Sequence, residues 1–169
     1  MPSVERIWTA PEGGAPMAAS ERVRAVEGGG LRGDRYCHGR GYYSPYDVCQ
    51  VTLVDSGALE TVRERYDIDL SDGRHRRNLV VDYDVVDLLD TRFSVGEAVF
   101  EGTRRRPPCA RVEEVAGEDD LAEALGEERG GICADVVEGG EITVGDELEV
   151  VERLDDPDSL ADAIRERRE

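Results

Sequence analysis

The sequence contains no lysine: all 21 of its basic residues are arginine. A chain without lysine cannot form an internal Schiff base, so pyridoxal phosphate chemistry is not expected here. Bases are also outnumbered, with 39 acids giving a formal net charge of −18. Such a chain repels polyanions, which argues against non-specific nucleic-acid binding. Long apolar runs are missing too. The longest are short segments such as Val51–Val54, whereas a membrane span needs about 20 apolar residues, so no membrane-spanning segment is expected. The N-terminus lacks a basic region followed by an apolar one, so it does not read as a secretory signal. Histidine is scarce, at two residues, and the four cysteines form no C-x-x-C pair. A structural zinc site would therefore need ligands from distant parts of the chain. The cysteines read mostly as free thiols in a reducing cytosol, and the expected location is cytoplasmic.

What is present is an acidic chain of 169 residues, long enough for one domain with its own core. The acids are spread along the sequence rather than held in one tail. That pattern suits solubility in a very salty cytoplasm, where salt screens the self-repulsion, and a halophilic source is expected.

Short alternating or apolar segments predict strands near residues 4–8, 22–27, 49–54, 78–81, 93–95, 98–100, 132–137, 142–144 and 148–151. Glycine turns separate many of them. Asp55 precedes Leu59, Val62 and Tyr66 at helical spacing, which predicts a capped helix over 56–66. Residues 11–20 read as a loop, Asp119–Leu125 as a short helix, and Ser159–Arg168 as a polar C-terminal helix. Strands do not alternate regularly with helices, so a doubly wound sheet is disfavoured. The expectation is a mostly-β barrel over residues 1–154, with a few helical insertions and an acidic helical tail over 155–169.

Three segments carry candidate chemistry. The first, GGGLRGDRY at 28–36, combines a run of backbone N–H groups able to cradle an anion with Gly33, Asp34 and Arg35. It also reads as a plain glycine-rich hairpin with solvated charges. RHRRN at 74–78 is the second and places three arginines within four positions. On a strand, Arg76 and Asn78 share one face, and that pair suits a phosphate or the edge of a heterocycle. Neutralisation of Asp69 and Asp72 is the competing explanation. In the third, RRRPPCAR at 104–111, Cys109 follows a rigid Pro107-Pro108 step with Arg104, Arg105, Arg106 and Arg111 nearby. Positive charge favours the thiolate, the form that attacks, carries sulfur or ligates a soft metal. Cys49 and Cys133 lie in apolar strands and read as core residues, and His38 sits alone in a glycine-rich loop.

Seven segments in order carry a resemblance: GLRGDRY at 30–36, HGRGYYS at 38–44, CQVTLVD at 49–55, RRNLVV at 76–81, FSVGEAVFEGT at 93–103, PPCARVE at 107–113 and GGICADVVEGGEITVGD at 130–146. Together they resemble the MOSC domain family, the C-terminal domain of molybdenum cofactor sulfurases, over about residues 3–151. The chain looks like a small stand-alone member. The resemblance implies a β-barrel that binds molybdenum cofactor (molybdopterin) or carries sulfur. It implies Cys109 as the catalytic and molybdenum-ligating residue, and cofactor contacts from Gly33, Asp34, Arg35, Arg76, Asn78 and Arg111. Two activities compete: reduction of N-hydroxylated compounds with an external electron donor, and persulfide transfer on Cys109 with a cysteine desulfurase as partner. A non-catalytic cofactor carrier is the third. The chain has no ferredoxin-like cysteine set and no lysine-bearing aminotransferase-like domain, so electrons or sulfur would come from outside it.

Overall fold

The computed structural model describes residues 2–11, 17–34, 50–70, 75, 77–105 and 131–154. Among them strands dominate, with one α-helix and one 3-10 turn. The strands are β1 (Val4–Thr9), β2 (Ala18–Ser20), β3 (Arg22–Val26), β4 (Gly30–Leu31), β5 (Val51–Asp55), β6 (Leu79–Val81), β7 (Thr91–Val95), β8 (Ala98–Arg105), β9 (Ile132–Glu138), β10 (Gly140–Thr143) and β11 (Leu148–Arg153). Helix α1 spans Ser56–Tyr66 and the 3-10 turn Val85–Leu88.

Eight strands form one curled sheet in the order β11-β7-β8-β9-β5-β6-β1-β2, and three form a second, β10-β3-β4. Backbone bonds stitch the two together: the Gly28 N–H donates to the Val136 carbonyl at 3.1 Å and the Glu97 N–H to the Glu141 carbonyl at 3.1 Å. One core lies between them. Ile7, Leu53, Leu79, Phe93, Phe100, Ile132 and Leu148 from the large sheet meet Ala25, Leu31 and Ile142 from the small one. The rings of Phe93 and Phe100, cross-strand partners on β7 and β8, stack at 5.6 Å. The mostly-β class expected from short alternating strands is what the structure shows, with the expected barrel present as a curled half-barrel sheet.

One pair of strands departs from the antiparallel pattern. β5 and β6 run parallel, with Leu53 opposite Leu79, and α1 makes the crossover between them. The helix starts where the sequence indicates. The Asp55 carboxylate accepts from the Gly57 N–H at 2.8 Å, and Asp67 ends the helix in the left-handed region at φ 56. Leu59 of α1 packs on Trp8, Val54 and Val80, a small apolar cluster on the sheet's other face.

One local expectation changes. Residues 18–20, read as loop, form an edge strand on β1, because pairing with Ile7, Trp8 and Thr9 supplies the hydrogen bonds that a weak local pattern does not advertise. Val85–Leu88 makes a 3-10 turn capped by Asp84, whose carboxylate accepts from Val86. Above it, Gly102 of β8 leaves no room for a side chain: a Cβ there would fall 2.1 Å from the Leu88 carbonyl oxygen. The expected helices over 119–125 and 159–168, and so the tail 155–169, lie outside the described residues.

Candidate functional site

Alternation along β5 and β9 fixes which residues face the core. Val51, Leu53, Ile132 and Ala134 belong to the main core, so Thr52 and Cys133 between them project to the other face. Thr52 and Cys133 are cross-strand partners, and Cys133 is also opposite Arg104 of β8. A polar row thus crosses the sheet from β8 to β5, continuing to Asn78 at the start of β6.

Asn78 is the node of that row, fully buried between β1 and β5. Its Oδ1 accepts from the Thr52 N–H at 3.0 Å and the Thr52 hydroxyl at 3.1 Å. Its Nδ2 donates to the Trp8 carbonyl at 3.0 Å. In return the Trp8 N–H donates to the Asn78 carbonyl at 2.7 Å, and the Asn78 N–H donates to Thr52. The side-chain amide is therefore committed to holding β1, β5 and β6 in register. Within the site Asn78 positions its neighbours.

The glycine-rich motif arrives at the same place. Gly33 occupies the left-handed region at φ +87 with open space around its missing Cβ, so conformation rather than crowding calls for glycine. The turn directs Asp34 inward. It is fully buried, and its Oδ1 accepts from the Ala10 N–H at 3.1 Å. Asp34 and Asn78 thus grip residues 8–10 at the end of β1, bringing together two motifs that are 44 positions apart in sequence (78 minus 34).

Against Trp8 lies His75, buried, with Nδ1 accepting from the Arg77 N–H at 2.9 Å and its ring edge-on to the indole. Arg77 is also buried. Beside them a mostly apolar groove of about 520 Å³ is walled by Trp8, His75, Leu59, Leu70 and Val80, with Arg6 among the charged residues at its edge. A second, polar hollow of about 610 Å³ lies at the end of β8, lined by Arg105, Arg65, Thr61, Asp55 and Asp84. Burial pushes the Asp55 carboxyl above its ordinary value, with Asp84, Asp82 and Glu5 adding to the effect and the Gly57 N–H opposing it.

Of the residues singled out in the sequence, Gly33, Asp34 and Asn78 are brought together, and Arg104 and Arg105 end the strand two places away from β5. Arg35, Arg76, Cys109 and Arg111, with His38, lie outside the described residues. Cys109 is four residues beyond Arg105, the last residue of β8. The reading of the cysteines as mostly free thiols needs one correction. Cys133 is buried as expected, but it is disulfide-bonded, with its partner outside the described residues. The sequence reading also missed His75, Trp8 and Thr52. A lone threonine inside the apolar run Val51–Val54 was the available signal, because a polar side chain buried in a strand needs a partner. Among the described residues no group of three or more His, Cys, Asp or Glu is placed to hold a metal ion, and no helix is long and apolar enough to cross a membrane.

The family profile described as MOSC domain matches residues 42–149. No curated protein matches the sequence. Solved structures do. The chain is similar to the YuaD protein of Bacillus subtilis at 18% identity, covering 90% of this chain and 97% of that one, with a TM-score of 0.71. It is similar to YiiM of Geobacillus stearothermophilus at 18% identity, covering 90% of this chain and 76% of that one, with a TM-score of 0.69. YiiM of Escherichia coli is 19% identical, with 89% and 72% of the two chains covered and a TM-score of 0.59.

Proposed function

The chain belongs to the MOSC domain family, and on that premise we propose that it holds a molybdenum cofactor with Cys109 as the metal ligand and reduces N-hydroxylated compounds. Members of the family are associated with molybdenum cofactor binding. The observation that carries the proposal is the meeting of the glycine-rich motif and the RHRRN motif at the end of β1, joined by the polar row through Asn78, Thr52 and Cys133 to Arg104.

The donor chemistry fits the group. A pterin dithiolene carrying a phosphate calls for guanidinium groups and backbone N–H groups on its anionic end and a soft ligand for its metal. In a chain of net charge −18, buried Arg77 neighbours Asn78 at one end of this row, and the β8-terminal Arg104 and Arg105 stand at the other. In the proposal Arg35, Arg76 and Arg111 bind the phosphate and ring edges, and Gly33 lets the backbone approach closely. Asp34 and Asn78 hold the loops that present these residues. Arg104, Arg105 and Arg106 keep the Cys109 sulfur as thiolate. When bound, the cofactor supplies the two-electron chemistry of oxygen-atom removal, with electrons from an external donor protein.

The test is metal and pterin analysis of the wild type beside Cys109→Ala, both produced with molybdenum cofactor available and purified in high salt. Stoichiometric molybdenum in the wild type, lost in the variant, is the expected result. No metal and no pterin in either protein would overturn the proposal. The alternative would then be a persulfide carrier, read as a gain of one sulfur on Cys109 after incubation with a cysteine desulfurase and cysteine.

A further inference from the structure

The apolar groove between α1 and the outer face of β1 and β6 has no part in the cofactor reading. Its floor is buried: Trp8, Leu70 and Val80, with the His75 ring nearly perpendicular to the indole. Its volume of about 520 Å³ falls within the range of small-molecule sites, about 300–1,000 Å³. The exposed rim carries five charged residues. Glu60 and Arg63 satisfy each other at 2.6 Å, and Asp69 is engaged as well. Glu5 and Arg6 remain. Among the described residues neither makes an ion pair or a side-chain hydrogen bond. Adjacent residues of a strand ordinarily point to opposite faces. These two line the same groove because β1 is bulged between them and Val4. Val4 pairs with Val81 and Arg6 with Val80, so Glu5 is the extra residue, and a bulge re-aims the side chains beside it. Glu5 and Arg6 also border a smaller hollow of about 380 Å³ toward β2 and β10, but that one has no aromatic floor.

We propose that this groove binds a free α-amino acid with a large apolar side chain, its carboxylate on Arg6, its ammonium on Glu5 and its side chain on the Trp8–Leu70–Val80 floor. Charge complementarity selects the class. A ligand with a single charge matches one of the two unengaged rim groups and leaves the other facing an apolar body. A zwitterion matches both. A guanidinium takes a carboxylate through two parallel hydrogen bonds, and a carboxylate takes an ammonium as a charge-assisted acceptor. The floor decides the side chain, because the rings of Trp8 and His75 with Leu70 and Val80 stabilise only a ligand that buries apolar area on them. The site is separate from the cofactor row and does not depend on the cofactor reading.

The chain has one tryptophan, so the emission of Trp8 reports on this groove alone. The test titrates the full-length protein with L-phenylalanine, phenethylamine, 3-phenylpropionate and glycine at one ionic strength, following Trp8 emission and calorimetric heat together. These probes keep the ring and drop one charge, or keep both charges and drop the ring. L-Phenylalanine is expected to bind saturably with a change in Trp8 emission, and at least about fivefold tighter than each of the other three, the scale of one hydrogen bond to a charged group. Arg6→Gln and Glu5→Gln change exposed side chains and should leave the fold intact, checked by thermal melts. Arg6→Gln should weaken L-phenylalanine and 3-phenylpropionate about fivefold and leave phenethylamine unchanged. Glu5→Gln should weaken L-phenylalanine and phenethylamine and leave 3-phenylpropionate unchanged. The absence of a saturable response to L-phenylalanine would overturn the proposal. So would heat without a Trp8 response, which places the ligand elsewhere, or a single-charge probe or glycine that binds as tightly as L-phenylalanine. Variants that weaken all the ring-bearing probes equally would overturn the roles given to Arg6 and Glu5.

Discussion

The two faces of the large sheet obey different rules. The inner face is apolar and continuous, with Phe93, Phe100, Ile7, Leu53 and Ile132 filling the space under the small sheet. The outer face, from β8 to β1, carries Arg104, Cys133, Thr52, Asn78 and Trp8, where strand register decides which polar groups meet. Burial area explains the first face. Hydrogen-bond accounting explains the second, because each buried donor or acceptor left unpaired costs about 1–3 kcal/mol. The lesson is that this chain places its candidate chemistry where packing alone would tolerate few polar residues, and satisfies those residues with one another.

The largest effect should come from the inner face. Phe100→Ala removes a ring stacked on Phe93 and should cost about 3–5 kcal/mol, seen as a lower denaturant midpoint with an unchanged slope. On the outer face, Asn78→Ala strands partners on both β1 and β5 and should cost about 2–3 kcal/mol. Combined with Thr52→Val, it should be non-additive by more than about 0.5 kcal/mol in a double-mutant cycle. Strict additivity would mean that the row is not a unit. Asp55→Ala should cost about 1 kcal/mol through the lost α1 cap, whereas Asp55→Asn, which can still cap, should be close to neutral in thermal melts.

A smaller effect has a definite sign. Asp135 of β9 is directly opposite Glu101 of β8, and its carboxyl is pushed up, first by burial and then by that like charge. The folded protein holds this proton at pH values where the unfolded chain has released it. The associated stability is full below the ordinary carboxylate range and is lost as pH rises through the raised value. Asp135→Asn should therefore be more stable than wild type at neutral pH, by a few tenths of a kcal/mol for a part-exposed pair, with the difference shrinking below about pH 4. At the bottom of the scale, Arg63→Ala breaks only an exposed i,i+3 pair with Glu60 and should leave the melting temperature unchanged.

Legibility in the sequence follows the same division. Strands with a clear alternation, such as β3 and β9, and the capped helix after Asp55 could be located from local pattern because their signals are local. The edge strand β2 could not, since its stability comes from β1. Asp34 and Asn78 could be singled out as candidate site residues by motif, but their hydrogen-bond partners could not. Nothing local says that the Asn78 amide turns to Thr52 and Trp8, or that Asp34 turns to Ala10. His75 stood in plain view inside RHRRN, yet its acceptor role depends on a turn that the sequence does not announce.

By itself, then, the sequence determined the family, the mostly-β class, the helix between two strands and the kinds of side chain available: arginine without lysine, and a cysteine beyond two prolines. These follow from composition, period and motif order, all of which are written along the chain. Only the tertiary structure decided that β5 and β6 run parallel across α1, that the two motifs close on the same end of β1, and that Cys133 is bonded rather than free. Each of those depends on which distant backbone atoms come within hydrogen-bonding or bonding reach. That is set by the packing of the whole sheet and not by any local pattern.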